Sequence, residues 1–372
     1  MKTLRGEAVD RPAVSFYEVG GFDVDPANPD PFNIYNDPSW RPLLDLAEAE
    51  TDIIRMRKPE FAPVPGSPLA ELTKVERRVE GRALFKTVTV KAPGRTLTCR
   101  TRRDADLDTV WEIEHLLKNE GDVKAYLSLP DDEAPAEFDP AYLVAEEKRT
   151  GDAGIVMVDV ADPICIAASH FSMEDYTVLA MTENALFHRL LEKAAATLYR
   201  QFEVVSRKFP GRLWRVCGPE YATPPYLPPR LFEEYVVRYT KPIVDIIHKH
   251  GGYARIHCHG RIKEVLPMIM SMGIDGLDPI EPEPQGNVRL ADVRREYGDK
   301  LVLFGNIEAA DIENKEPAEF EKTVATALAE GTSGAGRGFV LMPSACPYGR
   351  KLPARALENY RTMLRMAKSW GN

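Results

Sequence analysis

Tyr253-Ala254-Arg255-Ile256-His257-Cys258-His259-Gly260 is the stretch on which the fold turns. Residues 253–258 read as a strand, and Gly260 follows at its C-terminal end. Residues 261–272 then read as a short helix stopped by Gly273. The same strand-then-helix unit recurs on either side. Before it, residues 213–218 (LWRVCG) form a strand pattern, and 231–250 carries Leu231, Phe232, Tyr235, Val236, Ile243, Ile246 and Ile247 at helical spacing. That helix is predicted to kink at Pro242 and to stop at His248-Lys249-His250-Gly251-Gly252. After it come strands at 276–281, 301–307 and 338–343, and helices at 290–297, 317–330 and 354–368.

Five consecutive strand–helix units imply a parallel sheet wrapped by helices. Three earlier strand patterns, at 13–19, 51–56 and 154–160, bring the count to eight. Eight such strands predict an α/β fold of the (β/α)8 TIM-barrel type. An open doubly wound sheet is the alternative, but no glycine fingerprint follows the first strand. The segment 75–102 alternates instead in a strand-like way around Ala92-Pro93-Gly94. It predicts a β-hairpin with a Pro-Gly turn, an insertion of about 74–102 between barrel strands two and three. Residues 1–372 are read as one barrel domain carrying this insertion. Residues 21–38 read as a loop over the barrel mouth, 130–140 as an exposed acidic loop, and 331–338 (GTSGAGRG) as a turn. The last precedes a strand rather than a helix, so it lacks the helix N-terminus a phosphate cradle needs.

Composition narrows the function. The formal charge of −9 gives nucleic-acid binding no support. No stretch approaches the roughly 20 apolar residues that span a bilayer, and the N-terminus has no apolar signal-peptide core. The cysteines Cys99, Cys165, Cys217, Cys258 and Cys346 are odd in number and scattered, unlike a disulfide framework. A cytoplasmic protein is expected.

Residues i and i+2 of a strand share a face, so His257 and His259 point together and Cys258 points away. Cys346, in Met342-Pro343-Ser344-Ala345-Cys346-Pro347, lies just past the last strand pattern and is expected at the same rim. Imidazole and thiolate together suit zinc, and three protein ligands with an open fourth position make a catalytic site. A fourth ligand is expected from Glu281, with Glu220 and Glu308 as further candidates for that place. Glu220 and Glu308, each just beyond a strand, are expected as catalytic acid/base groups. Asp159 and Asp162 flank the end of strand three, and His170 lies in the segment after it. The competing expectation is that both histidines are core residues and the carboxylates solvate the rim.

The residues also resemble a known family. Leu4-Arg5-Gly6-Glu7 followed by Val9-Asp10-Arg11-Pro12 is similar to the opening of the uroporphyrinogen decarboxylase superfamily. So is His250-Gly251-Gly252 leading into the 257–260 strand end. Gly273-Ile274-Asp275-Gly276-Leu277-Asp278-Pro279, Phe304-Gly305-Asn306-Ile307-Glu308, Leu341-Met342-Pro343-Ser344-Ala345-Cys346 and Ala356-Leu357-Glu358-Asn359 resemble later family blocks. The resemblance implies a (β/α)8 barrel. True uroporphyrinogen decarboxylases carry an arginine-rich motif after the first strand. That place here reads Ser15-Phe16-Tyr17-Glu18-Val19-Gly20-Gly21-Phe22-Asp23, with two acids and no arginine.

The other branch, the corrinoid-dependent methyltransferases, resembles this chain in a His-x-Cys-Gly strand ending and a late cysteine, which together hold zinc. His257 and Cys346 match, and His259 stands in place of the middle cysteine. The position of Glu281 is similar to the zinc-ligating glutamate of the cobalamin-independent methionine synthases. The resemblance thus implies a zinc-dependent methyltransferase moving a methyl group between a methyl ether, amine or thiol and a corrinoid. The corrinoid would ride on a partner protein, and two barrels could pair as a homodimer. The alternative is a metal-free lyase acting on an organic acid or porphyrinogen. In that case Arg11, Arg55 and Arg57 would hold the carboxylates, unless they are solvated surface groups.

Overall fold

The computed structural model describes residues 1–62, 66–131, 137–334 and 336–371. Its strands run in order β1 (Ala13–Val14), β2 (Ile53–Arg57), β3 (Thr73–Glu80), β4 (Ala83–Ala92), β5 (Arg95–Asp104), β6 (Val110–Glu114), β7 (Gly154–Ala161), β8 (Leu213–Cys217), β9 (Tyr253–His257), β10 (Gly276–Asp278), β11 (Val302–Ile307) and β12 (Gly338–Pro343). Eight of them form one parallel sheet in the order β1-β12-β11-β10-β9-β8-β7-β2. At its open seam the Asp52 N–H donates to the Val14 carbonyl at 2.8 Å, so the sheet is nearly closed into a barrel. Helices follow the strands as expected, with Leu290–Tyr297, Pro317–Gly331 and Ala354–Ser369 in the last three units. Trp214, one side chain that the β8 alternation turns outward, stacks on Phe202 of the helix Asn184–Lys208 with ring centroids 4.8 Å apart.

Two strands stop short of their apolar patterns. β1 ends at Val14 because Tyr17 turns the chain with a positive φ of 59°. β10 ends at Asp278 because Pro279 offers no N–H to a ladder and Ile280 also takes a φ of 59°. Both breaks lie at the C-terminal rim, where backbone in rare conformations is most often functional. The kink expected at Pro242 takes the form of a π-helical turn, Glu233–Val237, directly before the helix Arg238–Lys249. Such a bulge accommodates the hydrogen bond that proline cannot donate.

The insertion is larger than a hairpin. β4 and β5 form the expected pair around Pro93 and Gly94, whose φ of 71° suits the third position of a type II turn. β3 and β6 add an antiparallel strand on each side, giving the order β3-β4-β5-β6. Both edges carry mostly exposed residues, charged on nearly every second position, so no buried face marks them in the sequence. Residues 132–136 of the acidic loop and residue 335 of the glycine-rich turn lie outside the described residues. Among the described residues no helix is long and apolar enough to cross a membrane.

The barrel floor is closed from outside by the short helix Lys2–Arg5. Leu4 packs in a cluster with Ile54, Met157, Leu213, Phe304 and Val340. Above it the interior is polar. Arg255 is completely buried, and its Nε and Nη2 each donate to Asp278 at 2.6 Å. Its flat faces meet apolar matter, with its guanidinium carbon 4.5 Å from the Phe304 ring centre and 5.5 Å from that of Tyr17. Breaking such a pair strands a charge in the core, whereas replacing both partners with apolar groups does not. Asp278→Ala is therefore expected to lower unfolding free energy by about 3–5 kcal/mol, measured by urea titration. The double replacement Arg255→Met with Asp278→Leu should cost less than that single change.

Candidate active site at the barrel mouth

The strand register builds the site. Cys217 on β8, His257 on β9 and Asp278 on β10 are successive register partners. The chain just beyond these strands, carrying Glu220, His259 and Glu281, therefore gathers at the C-terminal rim, where barrels keep their chemistry. His257 is buried, with Nδ1 2.6 Å from Asp278 Oδ2 and 3.4 Å from the Tyr17 hydroxyl. Burial disfavours charge on Asp278, but Arg255 and His257 outweigh it and hold the carboxyl far below its ordinary range. Burial pushes His257 down to about 4, so its ring is neutral at pH 7. A carboxylate only accepts, so Nδ1 bears the proton and Nε2 keeps a free lone pair.

His259 meets His257 edge-on, with ring centroids 4.5 Å apart and planes at 88°. Its Nδ1 lies 2.8 Å from Glu281 Oε1, while Glu281 Oε2 accepts the Gly260 N–H at 2.7 Å. Burial opposes charge on His259, yet the Glu281 hydrogen bond and charge raise its pKa above the ordinary value. Glu281 moves the other way: burial would raise it, and the His259 hydrogen bond and charge lower it. With 37% of its side chain exposed, His259 opens to solvent. Two touching imidazoles thus differ in charge preference, one kept neutral and one readily protonated.

Two further carboxyls stand near this pair. Glu308 precedes the helix Ala309–Asn314, with Oε2 3.4 Å from Ser344 Oγ and a buried Oε1 that has no hydrogen-bond partner. Burial, then the charge of Glu281, raises it to about 7. Glu220 lies in the turn Pro219–Ala222 after β8, and its Oε2 accepts the Gly218 N–H at 3.1 Å. Burial raises it, while the charges of His259 and Arg215 oppose that shift.

Cys346 does not join the histidines. Its N–H donates to Glu18 Oε2 at 3.0 Å, and its thiol lies beside Glu18 and Tyr35. Burial and Glu18 hold that thiol protonated. The imidazole half of the expected metal set has the form ligands need, each Nδ1 oriented by a carboxylate. The cysteine half is turned elsewhere. Among the described residues no three His, Cys, Asp or Glu side chains stand together as a metal ion requires. As arranged, His257, His259, Glu281 and Cys346 do not fit a zinc ion.

The arginines are also placed. Arg11 pairs with Asp52 at 2.6 Å, just before β2, at the end of the barrel opposite the mouth. Arg55 and Arg57 are buried, which corrects the expectation of a solvated surface role. Arg55 bonds Glu48 at 2.7 Å and the Gly20 carbonyl at 2.8 Å, and Arg57 bonds Glu146 at 2.7 Å and the Gly21 carbonyl at 2.8 Å. They support the chain around residues 18–23 and are not free for a substrate carboxylate. Asp162 caps the helix Pro163–Ala168, and His170 sits half-buried against the Tyr126 hydroxyl at 3.2 Å. A cavity of about 690 Å³ opens at the rim, lined by Phe22, Asp25, Tyr35, Met56, Arg103 and Tyr142 among others. The loop expected over the mouth does line it.

The sequence reading placed Asp159 at the end of strand three without its partner, and missed the roles of Tyr17, Arg215, Arg255 and Asp278. Arg215 reaches Asp159 at 2.6 Å, and both Arg215 and Arg255 lie over the Tyr17 ring. One signal was available: Asp159 in MVDVA, Arg215 in LWRVC and Arg255 in YARIH are lone charges inside apolar strands. In a closed barrel such positions either face helices or fill the centre, and charges fill the centre.

A polar-centred parallel barrel with its titrating groups at the C-terminal rim defines the (β/α)8 class of proteins. A family model for uroporphyrinogen decarboxylase (URO-D) matches residues 112–370, and the chain belongs to that family. No curated protein sequence matches it. Among solved structures, a methyltransferase from Methanosarcina mazei is similar at 14% identity and a TM-score of 0.60, covering 100% of this chain and 97% of that one. A D-psicose 3-epimerase solved with D-fructose is more distant, at 12% identity and a TM-score of 0.33 over 62% of this chain and 93% of that one. Another, from Clostridium cellulolyticum H10 with D-tagatose, has 10% identity and a TM-score of 0.32 over 63% and 93%.

The two imidazoles should titrate apart. In proton NMR the His257 ring is expected to stay neutral until the pH nears 4, while His259 should protonate above the ordinary histidine value. A shared midpoint would contradict the burial of His257 together with the Glu281 pairing of His259. The Glu308 contribution to stability also has a definite sign. Its folded pKa of about 7 lies above the unfolded value, so the folded state holds the extra proton. That stability is fully present at acid pH and is lost as pH rises towards 7. Glu308→Gln should therefore gain stability relative to the native protein over that rise, read from denaturant midpoints at several pH values.

Proposed function

We propose that the chain is a methyltransferase that takes a methyl group from a small substrate at the barrel mouth and passes it to a corrinoid carried by a partner protein. The observation that carries this reading is the His259–Glu281 pair beside Glu308. Removing a methyl group from a methyl ether, methylamine or methyl thioether leaves a basic heteroatom that needs a proton. His259, made easier to protonate by its pairing with Glu281, and Glu308, near half-protonated at neutrality, are the donors available to it. His257, kept neutral by burial with its Nδ1 proton held by Asp278, offers Nε2 as an acceptor that orients the substrate. The family membership and the fold shared with a protein named as a methyltransferase support the same class.

The corrinoid would serve as the nucleophile that accepts the methyl group. No step is assigned to zinc, because Cys346 is held by Glu18 and Tyr35. The lyase alternative loses support, because Arg11, Arg55 and Arg57 are already paired within the protein.

The test is cob(I)alamin consumption, followed by its visible spectrum, with panels of aryl methyl ethers, methylamines and methyl thioethers. Turnover with one class is expected, and His259→Ala and Glu308→Gln should each slow it by about 100-fold or more. No transfer with any donor, together with carbon dioxide release from an organic acid, would replace this reading with the lyase. Metal analysis is the companion measurement. Stoichiometric zinc, lost in both His259→Ala and Cys346→Ala, would show that Cys346 leaves Glu18 to join the histidines, and would move the chemistry onto a metal.

A further inference from the structure

Two thiols meet where β8 leaves the barrel. Cys217 is the last residue of β8 and stands in register with His257, so its side chain shares the face of that histidine. Cys165 lies in the first turn of the helix Pro163–Ala168, which follows the neighbouring strand β7. One residue ties these two segments together. Asp162 donates its N–H to the Cys217 carbonyl at 2.8 Å and accepts the Cys165 N–H on Oδ1 at 2.9 Å. Its Oδ2 accepts the Thr240 hydroxyl at 3.0 Å.

The side chains follow from that tie. The Cys165 and Cys217 thiols lie close enough for each to feel the charge of the other, and Cys217 Sγ reaches the Val160 carbonyl at 3.8 Å. Gly218 makes the approach possible: a Cβ there would lie 2.3 Å from the Cβ of Cys165. Any other residue at that position would push the helix turn off the strand. Both cysteines are partly exposed, unlike the fully enclosed Cys258. A small oxidant can reach them.

We propose that Cys165 and Cys217 are a redox-active pair that closes reversibly into a disulfide at the wall of the barrel mouth. The geometric basis is that the two cysteines sit on backbone segments packed against each other, Cys165 Cβ lying 2.3 Å from where a Cβ on Gly218 would stand, so that little movement brings the sulfurs together. The oxidant is a peroxide. One sulfur, as thiolate, attacks a peroxide oxygen; the O–O bond breaks, giving a sulfenic acid and, with a proton, water. The second sulfur attacks the sulfenic sulfur; the S–O bond breaks and a second water leaves, carrying the second thiol's proton. A dithiol reductant reverses the bond by exchange.

The interaction with Cys217, burial and the nearby Asp162 and Glu220 keep Cys165 protonated, so Cys165 should react slowly with alkylating agents. Closure would anchor Gly218, whose N–H holds Glu220, and so couples the thiol state to one of the mouth carboxyls. The inference does not depend on the methyltransferase reading.

The experiment treats the full-length protein with hydrogen peroxide and follows intact mass, free-thiol titre and non-reduced peptide maps. The native protein has five free cysteines, and the titre should fall to three. The mass should drop by two hydrogens, one cross-linked peptide pair should contain Cys165 and Cys217, and dithiothreitol should reverse all three changes. Cys165→Ser and Cys217→Ser should each abolish the linked peptide. The oxidised protein should melt at a higher temperature than the reduced one, because the link closes a long loop in the unfolded chain. Oxygen addition without linkage in the native protein, or a link through Cys99 or Cys346 in its place, would overturn the proposal.

Discussion

The ion pair between Arg255 and Asp278 is the constraint on which the mouth depends. Both side chains are wholly enclosed, so neither can be satisfied by water. Arg255 takes up both carboxylate oxygens, and the second of these also meets His257. That single carboxylate therefore fixes a tautomer one strand away. His257 in turn lies against His259, whose own orientation comes from Glu281. A polar column thus runs from the barrel centre to the rim, with charges alternating so that each is answered by the next. Buried ion pairs add little net stability, but they specify geometry. Here the specified geometry is a neutral imidazole touching a readily charged one.

How much of this was legible in the sequence can be judged residue by residue. The eight barrel strands were legible because parallel strands covered on both sides read as apolar runs with glycine or proline at their ends. His257 and His259 were legible because a two-residue spacing on a strand is a statement about faces. The partners were not. Asp278 lies 21 residues beyond His257 in the chain, and only the β9–β10 register brings them opposite. β3 and β6 were missed because edge strands exposed on both faces have no apolar alternation to read. Cys346 was placed at the correct rim from its position after β12. Its direction depended on Glu18 and Tyr35, which come from the chain after β1, and nothing in the local sequence around Cys346 encodes that contact.

The segment after β1 does more than its sequence suggests. Tyr17 lies under two guanidinium groups and beside His257, and Glu18 holds Cys346. Arg55 and Arg57 brace the same segment through the Gly20 and Gly21 carbonyls. The place where true uroporphyrinogen decarboxylases were expected to show arginines is here occupied by an aromatic ring and an acid. The family fold is retained while the chemistry of its mouth is rebuilt from the first βα turn.

The pairing of β1 with β12 has a consequence in time. Ala13 lies opposite Val340, and the helix that plugs the floor is tied to the same late region through Arg337 and the Leu4 carbonyl. During synthesis the first strand must wait for nearly the whole chain before its neighbour exists. Until then its edge and the apolar underside of Leu4 are open to wrong partners. Non-local pairings of this kind are slow to form and leave early intermediates prone to association. The floor of the barrel is thus finished only when strand β12 exists, although half of it is made from residues around Ala13 that emerge long before Val340.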